Sequence, residues 1–241
     1  MKSGSKDVVH AVIFDFDNTL VNTQKVITDA YNQIFEDMSK RHGISKKILS
    51  SEIEKIETKM VRNVDKTKEN YDRGSWFEML SKNLNMGLSK KQINKYRDKF
   101  YSYMLENVEF SEHTESILAD IKASGKKVAL LTEKDDAIEG FKQHRVEKLS
   151  FSRHFDLIVI AGDTIPERKI SPIAFSKTVK MLNVSPKNVL MVGDRLDIDV
   201  EHGKEVGMRT VLFKSYASSG TGLYKPDYIV SDLREILSII K

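Results

Sequence analysis

Four polar clusters in this chain have residue types that could act together. The first is Asp15-Phe16-Asp17-Asn18-Thr19-Leu20, with two carboxylates one residue apart. The second is the hydroxyl of Thr132, closing Val128-Ala129-Leu130-Leu131. The third is Lys169, in Lys169-Ile170-Ser171-Pro172-Ile173-Ala174-Phe175. The fourth follows Gly193 and offers Asp194, Asp197 and Asp199. Carboxylates can attack an electrophile, carry a proton or bind a hard cation through oxygen. A lysine adds fixed positive charge, and a threonine adds a hydroxyl donor. Each cluster also has a plain reading. Asp15 and Asp17 suit a polar turn or helix cap, Lys169 a solvated loop, and Thr132 a strand end. One of Asp197 and Asp199 suits a helix N-cap or a surface position.

The elements around these clusters decide whether they can meet. Val8 to Phe14 is a short β-rich run that stops at Asp15. Helical periodicity follows: Ile27, Tyr31, Ile34 and Met38, with Gly43 as a stop. Leu49, Ile53, Ile56 and Met60 repeat it, as do Phe77, Leu80 and Leu84 before Gly87, then Ile93, Tyr96, Phe100 and Tyr103. No strand pattern interrupts this block. Beyond it, helices and strands alternate. Strands are expected at 127–131, 156–160, 188–192, 209–213 and 227–230. Helices are expected at 114–123, 136–149, from Ser171-Pro172 onward, up to Val206 with Gly207 as C-cap, and at 232–240. Alternation implies parallel pairing with right-handed crossovers. The fold class is therefore α/β, a doubly wound parallel sheet with an all-helical insertion after its first strand. Ligands of such sheets bind beyond the carboxyl ends of the strands, where Asp15, Asp17, Thr132, Lys169 and Asp194 all fall.

In this order, each at a strand end, the clusters resemble the motifs of the haloacid-dehalogenase-like superfamily, in its phosphatase branch with a helical cap. Asp15 to Leu20 is similar to the first motif and Thr132 to the second. Lys169 to Phe175 is similar to the third, with Ile170 where the family has proline. Val192 to Met208 is similar to the fourth. The resemblance implies a Rossmann-like catalytic core at 1–21 and 108–241 and a helical cap at 22–107. It implies a magnesium-dependent phosphatase acting on a small phosphorylated metabolite. Asp15 and Asp194 would bind Mg2+ through side chains and Asp17 through its carbonyl, with Asp199 or Asp197 orienting a water on the metal. Asp15 would form an aspartyl phosphate, Asp17 would serve as acid and then base, and Lys169 and Thr132 would hold the phosphoryl oxygens. Dehalogenases of the superfamily lack the second aspartate. A phosphomutase of the same fold and a non-enzymatic interaction module are the competing readings.

A cation also follows from electrostatics. Two like charges about 4 Å apart repel by roughly 4 kcal/mol at an effective dielectric of 20, so Asp15 and Asp194 cannot share a phosphate without one. Magnesium suits this, because it prefers carboxylate, phosphate and water oxygens. Glu133 departs from the family, which often has Asn, Asp or Gly there, and reads as a solvated side chain in preference to one that tunes specificity. Ser218 to Gly222 lacks P-loop spacing and reads as a surface loop. In Tyr71-Asp72-Arg73-Gly74-Ser75-Trp76, Arg73 could face a second substrate anion, but Trp76 and Phe77 read as packing.

Composition narrows the partners. The 241 residues carry 39 basic and 35 acidic side chains, a formal charge of +4. No compact basic stripe with interleaved aromatics appears, so no nucleic-acid partner is expected. No run approaches the roughly 20 apolar residues of a membrane span, and no signal-peptide pattern opens the sequence. With no cysteine, thiolate catalysis and zinc-thiolate sites are excluded. A reducing cytoplasm is the expected location. Met1 to Lys6 reads as a solvated tail, and the six histidines show no metal spacing.

Overall fold

The computed structural model describes residues 8–62, 72–135, 137–216 and 220–241. The expected Met1 to Lys6 tail, Tyr71, Asp136, Ser218 and Ser219 lie outside the described residues. The chain divides into two compact units. One comprises Met1–Gln24, Glu109–Lys134 and Lys142–Lys241, and the other Lys25–Val108 with Asp135–Phe141.

The first unit is built on a six-stranded sheet in the order β3-β2-β1-β4-β5-β6. Its strands are β1 (Ala11–Phe14), β2 (Lys127–Glu133), β3 (Leu157–Ala161), β4 (Val189–Gly193), β5 (Arg209–Phe213) and β6 (Tyr228–Val230). Every neighbouring pair is parallel. Strands 1 to 4 read as continuous apolar runs because both faces of a parallel sheet are covered. Phe14, Leu130, Leu131 and Met191 have no exposed surface, and each buried side chain of this size stabilises by about 1.5–3 kcal/mol. On one face Ala11, Ile13, Ala129, Leu131 and Met191 pack with Phe175, Val179 and Leu182. Those three lie on α7 (Pro172–Leu182), which Ser171 caps by accepting from the Ile173 N–H. Strand order runs one way from β1 through β2 to β3, then reverses to β4. Right-handed crossovers therefore put α5 (Thr114–Ala123) and α7 on opposite faces. The reversal opens a crevice between the ends of β1 and β4.

Chain exit and return are adjacent in this unit. The Asn22 N–H donates to the Glu109 carbonyl at 2.7 Å.

The second unit is all-helical. It contains α1 (Thr23–His42) beyond Gln24, α2 (Lys46–Arg62), α3 (Arg73–Asn83) and α4 (Lys90–Glu106). Asp72 caps α3 by accepting from the Gly74 and Ser75 N–H groups. Ser89 and Gln92 form a capping box on α4. Ile34, Phe35, Met38, Leu49, Trp76, Phe77 and Leu80 are almost fully buried in one core. Trp76 and Phe77 thus pack, as expected. Arg73 packs too: its guanidinium lies 3.7 Å from the Trp76 ring centroid.

Three expectations shift. The helix anticipated from 136 is α6 (Phe141–Glu147), because Gly140 takes φ +69 and breaks it. The stretch after β4 is a π-turn over Leu196–Val200 followed by α8 (Glu201–Val206), not one α-helix. The last helix is a 3-10 turn at Leu233–Glu235, opened by Asp232, followed by α9 (Ile236–Ile239).

Candidate active site

Parallel register brings the strand ends to one edge. Phe14 pairs with Leu130 and with Val192, so Asp15 leaves β1 beside Thr132 and Gly193-Asp194. The Asp15 N–H donates to the Val192 carbonyl at 2.9 Å and fixes the start of the loop. In that loop Asn18 adopts a left-handed φ of 57, and its side chain accepts from the Gln24 N–H at 2.8 Å. Thr132 is buried at the end of β2, opposite Ile160. The Lys169 ammonium pairs with Asp15 and lies 2.7 Å from the Asp199 carboxylate. One carboxylate oxygen from each of Asp15, Asp194 and Asp199 lies within 4.8 Å of the other two.

The choice between Asp197 and Asp199 is made by backbone geometry. The π-turn carries Asp199 inward, where it accepts from the Arg195 N–H at 3.0 Å. Gly193 allows this approach, since a Cβ there would meet the Asp199 carboxyl at 2.2 Å. Asp197 turns away and pairs with Arg195 at 2.8 Å. The Gly220–Gly222 end of the expected surface loop packs here as well. A Cβ on Gly220 would meet Asp197 at 2.0 Å, and one on Gly222 the Leu196 carbonyl at 2.5 Å.

Burial and mutual repulsion push the Asp15 and Asp194 carboxyls well above the ordinary range, with Lys169 opposing. Burial would lower the Lys169 ammonium, but Asp15 and Asp199 outweigh it and hold it charged. With all three carboxylates ionised against one ammonium, this buried space would hold two negative charges, the state that burial and repulsion oppose. The Asp199 oxygen that faces Lys169 is itself buried. An all-oxygen set with a double negative excess fits a hard divalent cation.

A family model for haloacid dehalogenase-like hydrolases matches residues 12–213. The chain belongs to this family. The hydrolase is 27% identical over 240 residues to a glyceraldehyde 3-phosphate phosphatase of Pyrococcus furiosus, covering 97% of this chain and 93% of that one. It is 30% identical to a phosphoglycolate phosphatase of Aquifex aeolicus, covering 85% and 84%. The magnesium-bound crystal structure of the HAD-family protein YfnB from Bacillus subtilis superposes with a TM-score of 0.79 at 17% identity, covering 97% and 99%. That likeness shows the shared fold.

The hydrolase's second aspartate has partners that sequence reasoning missed. Asp17 pairs with Lys142, with Arg145 at 2.7 Å, and accepts from the Thr23 hydroxyl at 2.6 Å. Burial would raise its carboxyl, but Arg145 and Lys142 hold it far below the usual range. Both cations project from α6 one turn apart and flank the Phe16 ring. The available signal was a basic pair at i and i+3 on the helix after the second cluster, a pattern that also suits a solvated face. Here the pair is buried, Arg145 to 3% exposure. Breaking a buried pair strands a charge, so Arg145→Met is expected to destabilise the hydrolase by about 3 kcal/mol in urea unfolding. Adding Asp17→Asn recovers part of that loss. An unchanged urea midpoint in Arg145→Met would count against the pairing.

Glu133 is not a solvated side chain. It is three-quarters covered, pairs with Arg168 and accepts from the Lys169 N–H at 2.5 Å. No helix among the described residues is long and apolar enough to cross a membrane.

Proposed function

We propose that this hydrolase is a magnesium-dependent, cytoplasmic phosphatase of a small phosphorylated metabolite, working through an aspartyl phosphate on Asp15. The carrying observation is Lys169 bridging Asp15 and Asp199 beside Asp194. The relatives named as phosphatases support the same reading. In the proposal, residues 1–21 and 108–241 do the chemistry and the helical cap at 22–107 governs substrate choice.

Asp15 attacks phosphorus in line, and the bond from phosphorus to the leaving oxygen breaks. Thr132 and Lys169 hold the phosphoryl oxygens, and Lys169 offsets charge that develops on them. Asp17 passes a proton to the leaving oxygen, then takes one from the water that hydrolyses the acyl phosphate. Paired with Lys142 and Arg145, Asp17 is ionised, the form that accepts a proton. Donating one requires that substrate binding loosen those pairs. Mg2+ held by Asp15, Asp194 and the Asp17 carbonyl, with Asp199 behind them, would neutralise the carboxylate–phosphate repulsion.

The deciding experiment is a phosphate-release screen of the purified protein against metabolite phosphates, with and without magnesium. Magnesium-dependent release from a small phosphoester is expected. No release from any substrate, or isomerisation of a sugar phosphate without release, would overturn the proposal.

A further inference from the structure

Two departures from the family pattern, Glu133 and Ile170, meet at one turn. The Ser171 N–H donates to the Arg168 carbonyl at 3.1 Å, making Lys169 and Ile170 the central residues. Ile170 is absent from the residues with positive φ, and the described peptide bonds include no cis form. Lys169 is likewise absent from the residues with positive φ, and a hydrogen-bonded turn with negative φ at both central residues is of type I, which places Lys169 in the helical region. A proline at 170 would disfavour that conformation of Lys169. Ile170 permits the turn, whose backbone a further contact can then restrain.

Glu133 supplies one. From the end of β2, one carboxylate oxygen accepts the Lys169 N–H and the other pairs with the Arg168 guanidinium. The loop is shaped for this reach. Gly162, at φ +91, donates to the Ile165 and Glu167 carbonyls. A Cβ there would meet the Lys134 and Arg168 side chains at 2.7 and 3.0 Å.

We infer that Glu133 is a positioning residue: its carboxylate clamps the Arg168–Lys169 backbone so that the Lys169 ammonium is delivered onto Asp15 and Asp199. The assignment depends on the phosphatase reading for its kinetic consequence, but not for its structural one. Releasing the clamp displaces the ammonium by a fraction of its reach, and misplacements near 1 Å cost about 10²-fold.

The test combines kinetics with amide exchange. Glu133→Ala is expected to lower phosphate-release kcat/KM by roughly 10- to 100-fold. Glu133→Gln retains an oxygen for the Lys169 N–H and should recover most of that loss. In a Lys169→Met background, Glu133→Ala should change kcat/KM less than about twofold, because the effect runs through the lysine. Equal losses in both backgrounds, or no loss in either, would overturn the inference. Hydrogen exchange of the 165–173 segment reads the clamp without substrate. Glu133→Ala should accelerate it there and leave β1 and β4 unchanged. Unaltered exchange overturns the clamp even in an active enzyme. Absent phosphate release in the wild type, with accelerated exchange in the variant, overturns the phosphatase reading alone.

Discussion

With Asp15 as the proposed nucleophile, Asp15→Asn is expected to lower magnesium-dependent phosphate release by at least ~10³-fold, because removing an attacking group leaves only binding and electrostatic stabilisation. The same change raises the thermal stability of the metal-free protein. Asp15 sits within 4.8 Å of Asp194 and Asp199 carboxylate oxygens, and an amide of the same shape removes one of three like charges. Opposite movements of activity and stability are the signature of a carboxylate retained for chemistry at a cost in folding. Phosphate-release kinetics and a thermal melt of the same preparation check both. Near-wild-type activity would remove Asp15 as the nucleophile. A stability loss of several degrees would mean that Asp15 serves mainly as an anchor for Lys169.

The metal-free protein is expected to lose stability as pH rises from about 4 to 8, through Asp15 up to about pH 6 and through Asp194 beyond it, and magnesium should abolish most of that loss. Burial, then Lys169 in opposition, then Asp199 and Asp17, set the Asp15 carboxyl at about 6 against an ordinary value of 3.8. Burial and the neighbouring charges raise Asp194 in the same direction. A carboxyl raised in the folded state binds its proton more tightly there than in the unfolded chain. Its contribution is therefore complete below the unfolded value and is lost as pH rises through the folded one. For Asp15 alone, moving from 3.8 to about 6 corresponds to roughly 3 kcal/mol. That is about 6–12 °C in Tm for a domain of this size. Asp17 is shifted the other way, so its own contribution changes only below about pH 4. A cation bound to the cluster requires the ionised forms, so its stabilisation grows with pH. Melting curves at pH 4, 5, 6, 7 and 8 with magnesium or a chelator check this. A Tm that rises with pH in chelator would contradict the repulsion described for the three carboxylates.

Much of this was legible in the sequence, because strand ends carry the chemistry. Val12 to Phe14, Ala129 to Leu131 and Val189 to Val192 are unbroken apolar runs stopping at polar residues. A parallel sheet aligns such stops at one edge. Helix α7 was legible through its cap at Ser171, and α3 and α4 through the spacing of Phe77, Leu80 and of Ile93, Tyr96, Phe100. What stayed hidden depended on geometry rather than residue type. Asp197 and Asp199 are both acidic and two residues apart. Only the π-turn and the bare Cα of Gly193 send one inward and the other to Arg195. Lys142 and Arg145 look like surface residues until α6 is seen to start at Phe141, late enough to aim both at Asp17. Glu133 read as solvated because nothing in its neighbours announces a contact 36 positions away.

The backbone bond from Asn22 to Glu109 has a consequence for the family's diversity. Where a polypeptide departs and re-enters at neighbouring points, closure entropy is nearly independent of how much chain lies between, growing only as the logarithm of its length. An intervening module can then be lengthened, shortened or exchanged for another without disturbing the sheet. A short turn joining 22 to 109 should leave a self-sufficient β-sheet scaffold.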